Sequence, residues 1–221
     1  MVGLLDLPGD DDVASRTIPL LAIERLAGDL DRETTAAFAA ARQSGRPELR
    51  PACRRGCAYC CHQLVPLTTL EAQRIAEHVS RLPRTERRDI GKAVDRQTQK
   101  FATWAKSRPS GDVRDRAVNL AYLQQQIPCP FLGAENECRI YPVRPLICRG
   151  HHALESNVNC RTAERPIKTI PALDQATGEA MREAQQLSAS LGLPVAGGLI
   201  STFAPMFRAA LMGGPKRGGV L

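Results

Sequence analysis

The sequence predicts a mainly α-helical fold, a compact helical domain built by helix packing on helix. Hydrophobic residues make up 43% of the 221-residue chain, which is enough for a substantial core. Aromatic residues, which are enriched in strands, make up only 4%. Several segments carry apolar residues at helical spacing and end at proline or glycine. These observations favour helices packed through aliphatic side chains over packed sheets.

The first two helices flank a short loop. Residues 18–43 are predicted as a helix that the segment SGRP ends. After Pro66, Thr68 and Glu71 form a capping-box pattern, which predicts a second helix that continues as far as Pro83. The apolar stripe of the first helix consists of Ile18, Leu21, Ile23, Leu26, Leu30 and Phe38.

Two further helices follow in the middle of the chain. A polar helix is predicted from about Thr85 to Lys106, before the breaker RPSG. Asp112 is a suitable N-cap for another helix, which would end before Pro128. The inward side of this helix would carry Val113, Ala117, Leu120 and Leu123.

The remaining chain divides into an irregular segment and two helices. Residues 128–171 show no sustained periodicity, and an empty loop of that length is unusual in a compact domain, so something else must order it, as a bound metal would. Helices are predicted over 173–191, with Gly192 as the stop, and over 198–212, where Pro205 either kinks the helix or marks its start. We therefore expect an N-terminal helical segment (1–49), a cysteine-rich domain (50–163) and C-terminal helices (164–221) that pack on the same domain.

Composition and charge exclude some classes of function. The N-terminal residues MVGLLDLPGDDD are acidic where a secretory signal is basic, and no apolar run approaches the roughly 18 residues of a membrane helix. These features predict a cytoplasmic protein with no membrane partner. The net charge is +7, but the arginines are spread along the chain with few aromatic residues among them, which argues against a nucleic-acid partner.

The cysteines carry the strongest chemical signal. A reducing cytosol disfavours structural disulfides, so metal binding or redox chemistry becomes the default interpretation. A Cys-x2-Cys turn presents two sulfurs to one ion, whereas the adjacent Cys60 and Cys61 would serve separate metals, bridge metals or include one non-ligand. Two cysteine-rich loops are thus expected to converge on a metal or cluster site. The candidate ligands are Cys53, Cys57, Cys60, Cys61, Cys129, Cys138, Cys148 and Cys160.

Histidines and arginines lie beside these cysteines in the sequence. His62, His151 and His152 are possible additional ligands, although a loop histidine is more often a hydrogen-bonding polar group, and His78 is interpreted as structural. The arginines near the second cysteine group could either donate hydrogen bonds to thiolates or form ordinary ion pairs. These arginines are Arg139, Arg144 and Arg149.

The segments CRRGCAYCC, CPFLGAENECRIYPVRPLICR and NVNC together resemble the YkgJ family of cysteine-cluster proteins. The family pattern C-x3-C-x2-C-C falls on the first four cysteines, and C-x-I-Y-x-x-R-P-x-x-C-R falls on Cys138 to Arg149. The resemblance covers about residues 50–163. It implies chelation of zinc or iron, and it implies no substrate.

A second resemblance gives an alternative function. Cys53, Cys57 and Cys60, with Tyr59, are similar to the C-x3-C-aromatic-C loop that holds a [4Fe-4S] cluster in radical S-adenosylmethionine enzymes. Those enzymes build a β/α barrel, which this helical pattern does not predict. Flagellin lysine N-methylases, however, carry a similar cysteine cluster within the wider family, so an iron-sulfur enzyme using S-adenosylmethionine remains an alternative.

Three functional hypotheses follow. The preferred one is a protein that chelates zinc or an iron-sulfur cluster, whether the site is structural, redox-active or catalytic. The second is the enzyme using S-adenosylmethionine. The third is an interaction module in which the metal fixes a proline-rich docking loop. The sequence leaves open whether the protein is an enzyme.

Overall fold

The computed structural model describes residues 13–54, 56–112, 115–162, 166–193 and 199–213. Within these ranges the fold is mainly α-helical, with no β-strand beyond isolated bridges, which confirms the predicted class. The β/α barrel of radical enzymes is accordingly not a feature of the described part of the chain. No helix in these ranges is long and apolar enough to cross a membrane.

Eight α-helices form the described fold, and short 3₁₀ helices connect some of them. The 3₁₀ helices include Tyr59–His62 and Tyr141–Val143. The α-helices are α1 (Val13–Gln43), α2 (Thr69–Ser80), α3 (Arg84–Ser107), α4 (Arg116–Leu123), α5 (Leu146–Gly150), α6 (Val158–Thr162), α7 (Pro171–Ser190) and α8 (Ala204–Gly213).

Most of the predicted helices are present with similar bounds. The capping box of α2 is confirmed, because the Thr68 hydroxyl accepts a hydrogen bond from Glu71 N–H and the Glu71 carboxylate accepts one from Thr68 N–H. Gly192 ends α7 with φ +67°. Pro205 lies in the first turn of α8, so it marks the start of that helix rather than a kink. The predicted start at residue 198 lies outside the described residues.

The prediction for α4 was wrong in its start. This helix begins at Arg116, and its N-cap residue is Asp115 rather than the predicted Asp112. The Asp115 carboxylate accepts a hydrogen bond from Asp112 N–H (2.9 Å), and Gly111 has φ +140°, which a helix cannot accommodate. Because the helix starts later, its buried face carries Val118, Tyr122 and Leu123. Of the other residues predicted to face inward, Ala117 is exposed and Leu120 is half-buried. Val113 lies outside the described residues.

The apolar stripe of α1 is also only partly correct. Ile23, Leu26 and Leu30 are buried, but Ile18 and Leu21 are 69% and 55% exposed. The buried part packs against α7 and α5, with Leu70, Leu146, Ala180 and Ala184 in the same cluster. The first helix and the seventh therefore share a core with residues of the cysteine-rich region, although the predicted division into segments stays a prediction.

A second core cluster lies between α2, α3 and α8. Ile75, Ile90, Phe131 and Phe207 are fully buried there, and the rings of Phe131 and Phe207 meet edge to face with centroids 5.2 Å apart. Phe131 belongs to the irregular segment 128–171, so this segment is anchored in the core. Packing of this kind, together with short helices α5 and α6, orders a stretch in which the sequence shows no periodicity.

Candidate metal centre

The first cysteine group lies between α1 and α2. The Cys57 N–H donates to Arg54 O (2.9 Å), which closes a turn, and Gly56 within that turn has φ +84°. Only glycine adopts this left-handed conformation readily. Cys60 and Cys61 follow on the 3₁₀ helix Tyr59–His62, where Cys61 N–H donates to Ala58 O (2.9 Å). A turn and a 3₁₀ helix therefore position Cys57, Cys60 and Cys61, and Cys53 lies just before the turn.

The second group is distributed over four local structures. Cys129 follows α4, and Cys138 is paired with Leu132 in an isolated antiparallel bridge. Cys148 lies on α5 and Cys160 on α6. Pro145 precedes α5, and its carbonyl accepts the first hydrogen bonds of that helix, from Cys148 N–H and Arg149 N–H. Pro145 thus defines where the cysteine-bearing helix α5 begins.

Hydrogen bonds join the two groups. Cys129 N–H donates to Cys61 O (2.7 Å), and Ala153 N–H donates to the Cys53 sulfur (3.4 Å). The Asn157 side-chain amide donates to the Cys57 sulfur, also at 3.4 Å. The helix α6 packs on the 3₁₀ helix that carries Cys60 and Cys61. The loops that bear the cysteines are therefore neighbours at several points.

The eight cysteines are free thiols, and the structure forms no disulfide among them. Cys160 is buried and the others are half-buried. Burial raises the pKa of Cys129 to about 12 and that of Cys160 to about 11, and it also raises the pKa of Cys53, Cys138 and Cys148. These five thiols hold their protons at neutral pH in the metal-free protein, and a metal would have to displace those protons.

Cys60 is electrostatically different from its neighbours. A hydrogen bond from the adjacent Cys61 thiol is the largest cause that lowers the pKa of Cys60, to about 7. The same contact, with burial, raises the pKa of Cys61. Cys60 is thus the thiol of this pair that ionises first, and Cys61 donates to it.

The thiols influence one another in two sets. Cys53 and Cys57 raise the pKa of Cys160, whereas Cys129 and Cys138 raise that of Cys148. Cys60 contributes to both shifts. We call Cys53, Cys57 and Cys160 the first thiol set, and Cys129, Cys138 and Cys148 the second thiol set. Cys60 acts on both.

No three histidine, cysteine, aspartate or glutamate side chains in the described ranges are arranged to hold a metal ion as they stand. The convergence of the two loops on one metal site therefore stays a prediction. The eight cysteines suit a metal because of the chemistry of their thiol groups. Eight free thiols on neighbouring loops are soft ligands of the kind that zinc and iron-sulfur clusters require.

The candidate histidines differ in their partners. His152 Nε2 is hydrogen-bonded to Arg149 O (2.7 Å), and its ring meets Phe38 edge to face at 4.9 Å. His62 Nδ1 and His151 Nε2 are buried without a hydrogen-bond partner among the described residues. Burial lowers the pKa of His151 and His152, so both are neutral near pH 7. His62 and His151 consequently keep a nitrogen available as a ligand.

The arginines near the second cysteine group form hydrogen bonds mainly with backbone carbonyls and ion pairs with Asp31 of α1. Arg139 donates to Pro130 O and Leu132 O. Arg149, whose side chain is only 4% exposed, pairs with Asp31 and donates to Arg144 O and Pro142 O. Among the described residues, hydrogen bonds to sulfur come from backbone N–H groups, from the Asn157 amide and from the Cys61 thiol.

Three residues that support the site were not found from the sequence. Asp31 lies on α1, far from any cysteine in the chain, and no local pattern marks it. Glu71 was recognised only as a cap, but its carboxylate also accepts a hydrogen bond from Leu146 N–H at the start of α5 (2.8 Å). Asn157 stands three residues before Cys160, a position that gives a weak signal at best.

A family model matches residues 52–166, which is about half of the chain. It is CxxCxxCC, described as a "Putative zinc- or iron-chelating domain". The matched range includes all eight cysteines, and the YkgJ resemblance drawn from the motifs is consistent with it. No curated protein and no solved structure matches the chain.

Proposed function

Because the chain belongs to the CxxCxxCC family of zinc- or iron-chelating domains, we propose that its eight cysteines are the ligands of a bound zinc, iron or iron-sulfur centre. The observation that carries this proposal is the contact between the cysteine-bearing loops, where Cys129 N–H donates to Cys61 O (2.7 Å) and Ala153 N–H donates to the Cys53 sulfur (3.4 Å). Eight free thiols on such neighbouring loops suit a shared set of ions.

The two thiol sets divide the ligands. Cys53, Cys57 and Cys160 form one potential half of the site, and Cys129, Cys138 and Cys148 form the other. Cys60 is available to both halves and ionises before Cys61, the eighth candidate ligand, whose thiol donates a hydrogen bond to it in the metal-free protein. His62 has an unpartnered nitrogen on the same 3₁₀ helix and is a further candidate ligand.

Metal binding requires deprotonation of the thiols. Thiolates are the ligating form, so binding releases protons. Four thiolates around zinc would give a structural site, whereas an iron-sulfur cluster would supply electron transfer. A reducing compartment such as the cytoplasm suits a protein that keeps eight free thiols.

Serine substitutions, one in each thiol set, test this proposal. Cys57→Ser and Cys148→Ser should each lower the bound zinc or iron, and each should also lower the free energy of unfolding of the metal-loaded protein, because metal binding contributes to folding. Val158→Ser, at a 49% exposed position near Cys160, controls for the added hydroxyl. Full metal content and unchanged stability in both cysteine variants would refute the ligand assignment.

A further inference from the structure

Two stretches of chain that lead to cysteines pair through their backbones. Ala52 N–H donates to Ala153 O (2.8 Å), and Glu155 N–H donates to Arg50 O (3.0 Å). These hydrogen bonds flank an isolated antiparallel bridge, and together they fix the register of the two stretches. The pairing therefore places the first cysteine group beside the chain that leads to Cys160.

A turn then leads directly into the short helix α6, which carries Cys160. Glu155 has φ +58°, a left-handed conformation that few non-glycine residues adopt. The Ser156 hydroxyl accepts a hydrogen bond from the N–H of Val158, the first residue of α6 (3.2 Å). Asn157 O accepts one from Cys160 N–H (3.1 Å). The backbone of Asn157 therefore holds Cys160 at the start of this helix.

The side chain of Asn157 contacts a second cysteine. Its amide N–H₂ donates a hydrogen bond to the Cys57 sulfur at 3.4 Å, across a separation of 100 residues in the chain. Asn157 is half-buried, so this contact is partly shielded from water. Asn157 thus contacts one candidate ligand from each cysteine loop, Cys57 through its side chain and Cys160 through its backbone.

The hydrogen bond from Asn157 to sulfur should become stronger when a metal is bound. A cysteine that binds a metal is a thiolate, which is a charged acceptor. Hydrogen bonds to an ionised group are roughly twice as strong as those between neutral groups. The Asn157 amide therefore stabilises a metal-bound Cys57 more than it stabilises a protonated thiol.

We propose that Asn157 is a positioning residue of the metal centre, which donates a hydrogen bond to the metal-bound Cys57 sulfur and holds Cys160 at the start of α6. This inference rests on the proposed metal-binding function. Asn157 acts through these two cysteines and is not itself a ligand.

The test separates the hydrogen bond to sulfur from a purely structural role of Asn157 at the helix start. Zinc and, without oxygen, iron(II) are titrated against a competing chelator at constant pH into the full-length wild type and three variants. Asparagine and aspartate are about equally favourable immediately before a helix, so Asn157→Asp keeps the structural role and loses the donor. Asn157→Ala removes the amide altogether. Asn159→Asp is the matched control, because it adds the same charge on α6 and the Asn159 amide donates to no sulfur among the described residues.

Cobalt(II) provides a spectroscopic readout that a change in helix stability alone would not move. A hydrogen bond to a ligand tunes the metal that the ligand binds. Removing the donor from a thiolate sulfur raises the energy of its electrons, so the thiolate-to-cobalt charge-transfer band should move to longer wavelength in Asn157→Asp and Asn157→Ala.

We expect Asn157→Asp and Asn157→Ala each to lower the metal affinity about 10- to 100-fold, which is the usual effect of losing a partner of a metal ligand. Asn159→Asp should leave the affinity nearly unchanged. The free energy of unfolding of the metal-free protein should change little in Asn157→Asp, because aspartate suits the same position before the helix. If Asn157→Ala does not fold, Asn157→Asp decides the question.

An affinity of Asn157→Asp equal to or above that of the wild type would overturn the inference. A loss in Asn159→Asp as large as in Asn157→Asp, or a cobalt charge-transfer band that stays in place, would overturn it too. A wild type that binds neither zinc nor iron(II) would instead overturn the proposed function.

Discussion

The Glu71 carboxylate joins α2 to α5, because Oε2 accepts hydrogen bonds from Thr68 and Oε1 accepts one from Leu146 N–H at 2.8 Å. Leu146 begins the helix that carries Cys148. A single buried side chain, 5% exposed, therefore caps one helix and fixes the start of another that bears a candidate ligand.

Replacing Glu71 should weaken this connection. Glu71→Gln puts an amide N–H₂ against a backbone donor, and hydrogen bonds to charged groups contribute about 1.5–3 kcal/mol, so we expect a loss of that size in the free energy of unfolding. Denaturant unfolding of the metal-free protein measures it. Glu77→Gln is the control on the same helix, where the exposed ion pair with Arg81 (3.8 Å) should contribute less than about 1 kcal/mol. Equal effects of the two substitutions would contradict the assigned role.

Gly56 should be required for the turn before Cys57. An alanine at φ +84° costs roughly 1–2 kcal/mol, although the nearest atom to the new Cβ, Glu135 O, is 4.0 Å away. We therefore expect Gly56→Ala to lower the melting temperature through backbone strain rather than a clash. Gly91→Ala, in the middle of α3 with no atom within 4 Å, should instead raise stability by up to about 1 kcal/mol. Stability changes of opposite sign in the two variants would support this role of Gly56, and an unchanged stability in Gly56→Ala would refute it.

Asp31 should matter more than its neighbour Asp29 on the same helix. Asp31→Asn removes the charged partner of the buried Arg149, and we expect a loss of roughly 1–3 kcal/mol. Asp29 pairs only with the exposed Arg25 and Arg32 in the described structure, so Asp29→Asn should change stability by less than about 1 kcal/mol. Comparable losses in the two variants, measured by urea unfolding, would contradict the link between α1 and α5.

The half-buried histidines should make the protein less stable as the pH falls. Burial lowers the pKa of His78, His151 and His152 below the ordinary value of 6.5. The unfolded chain therefore binds protons more readily than the folded chain in this range, so the free energy of unfolding falls as the pH drops through 6.5 and is retained above it. Denaturant unfolding of the metal-free protein between about pH 8 and pH 5 measures the slope, and His151→Asn should reduce it. A slope that His151→Asn leaves unchanged would contradict the contribution of this residue.

Local patterns predicted the helices well but placed side chains less reliably. The capping box at Thr68 and the glycine at 192 are short-range signals, and the structure contains both features. Ile18 and Leu21 satisfy the helical period, yet they are exposed, because burial depends on which elements pack against a face. The start of α4 was misplaced because Asp112 suits an N-cap by residue type, yet the helix begins only at Arg116.

The candidate site shows the same division. Cysteine spacing predicted the eight candidate ligands, because the residue type and the order of residues along the chain identify side chains that can bind a metal. The partners of those thiols are set by tertiary contacts. Asp31 reaches Arg149 across a separation of 118 residues, and Leu146 reaches Glu71 across 75. No periodicity or motif encodes such pairs.

The most direct test of the central claim is metal and acid-labile sulfide analysis of the full chain purified without oxygen, with an absorption spectrum. The account predicts that at least stoichiometric zinc, iron or iron with sulfide is retained, and that its removal exposes thiols to alkylation. Protein that retains no metal, binds none when zinc or iron(II) is added, and reacts through its thiols equally with and without those metals would contradict it.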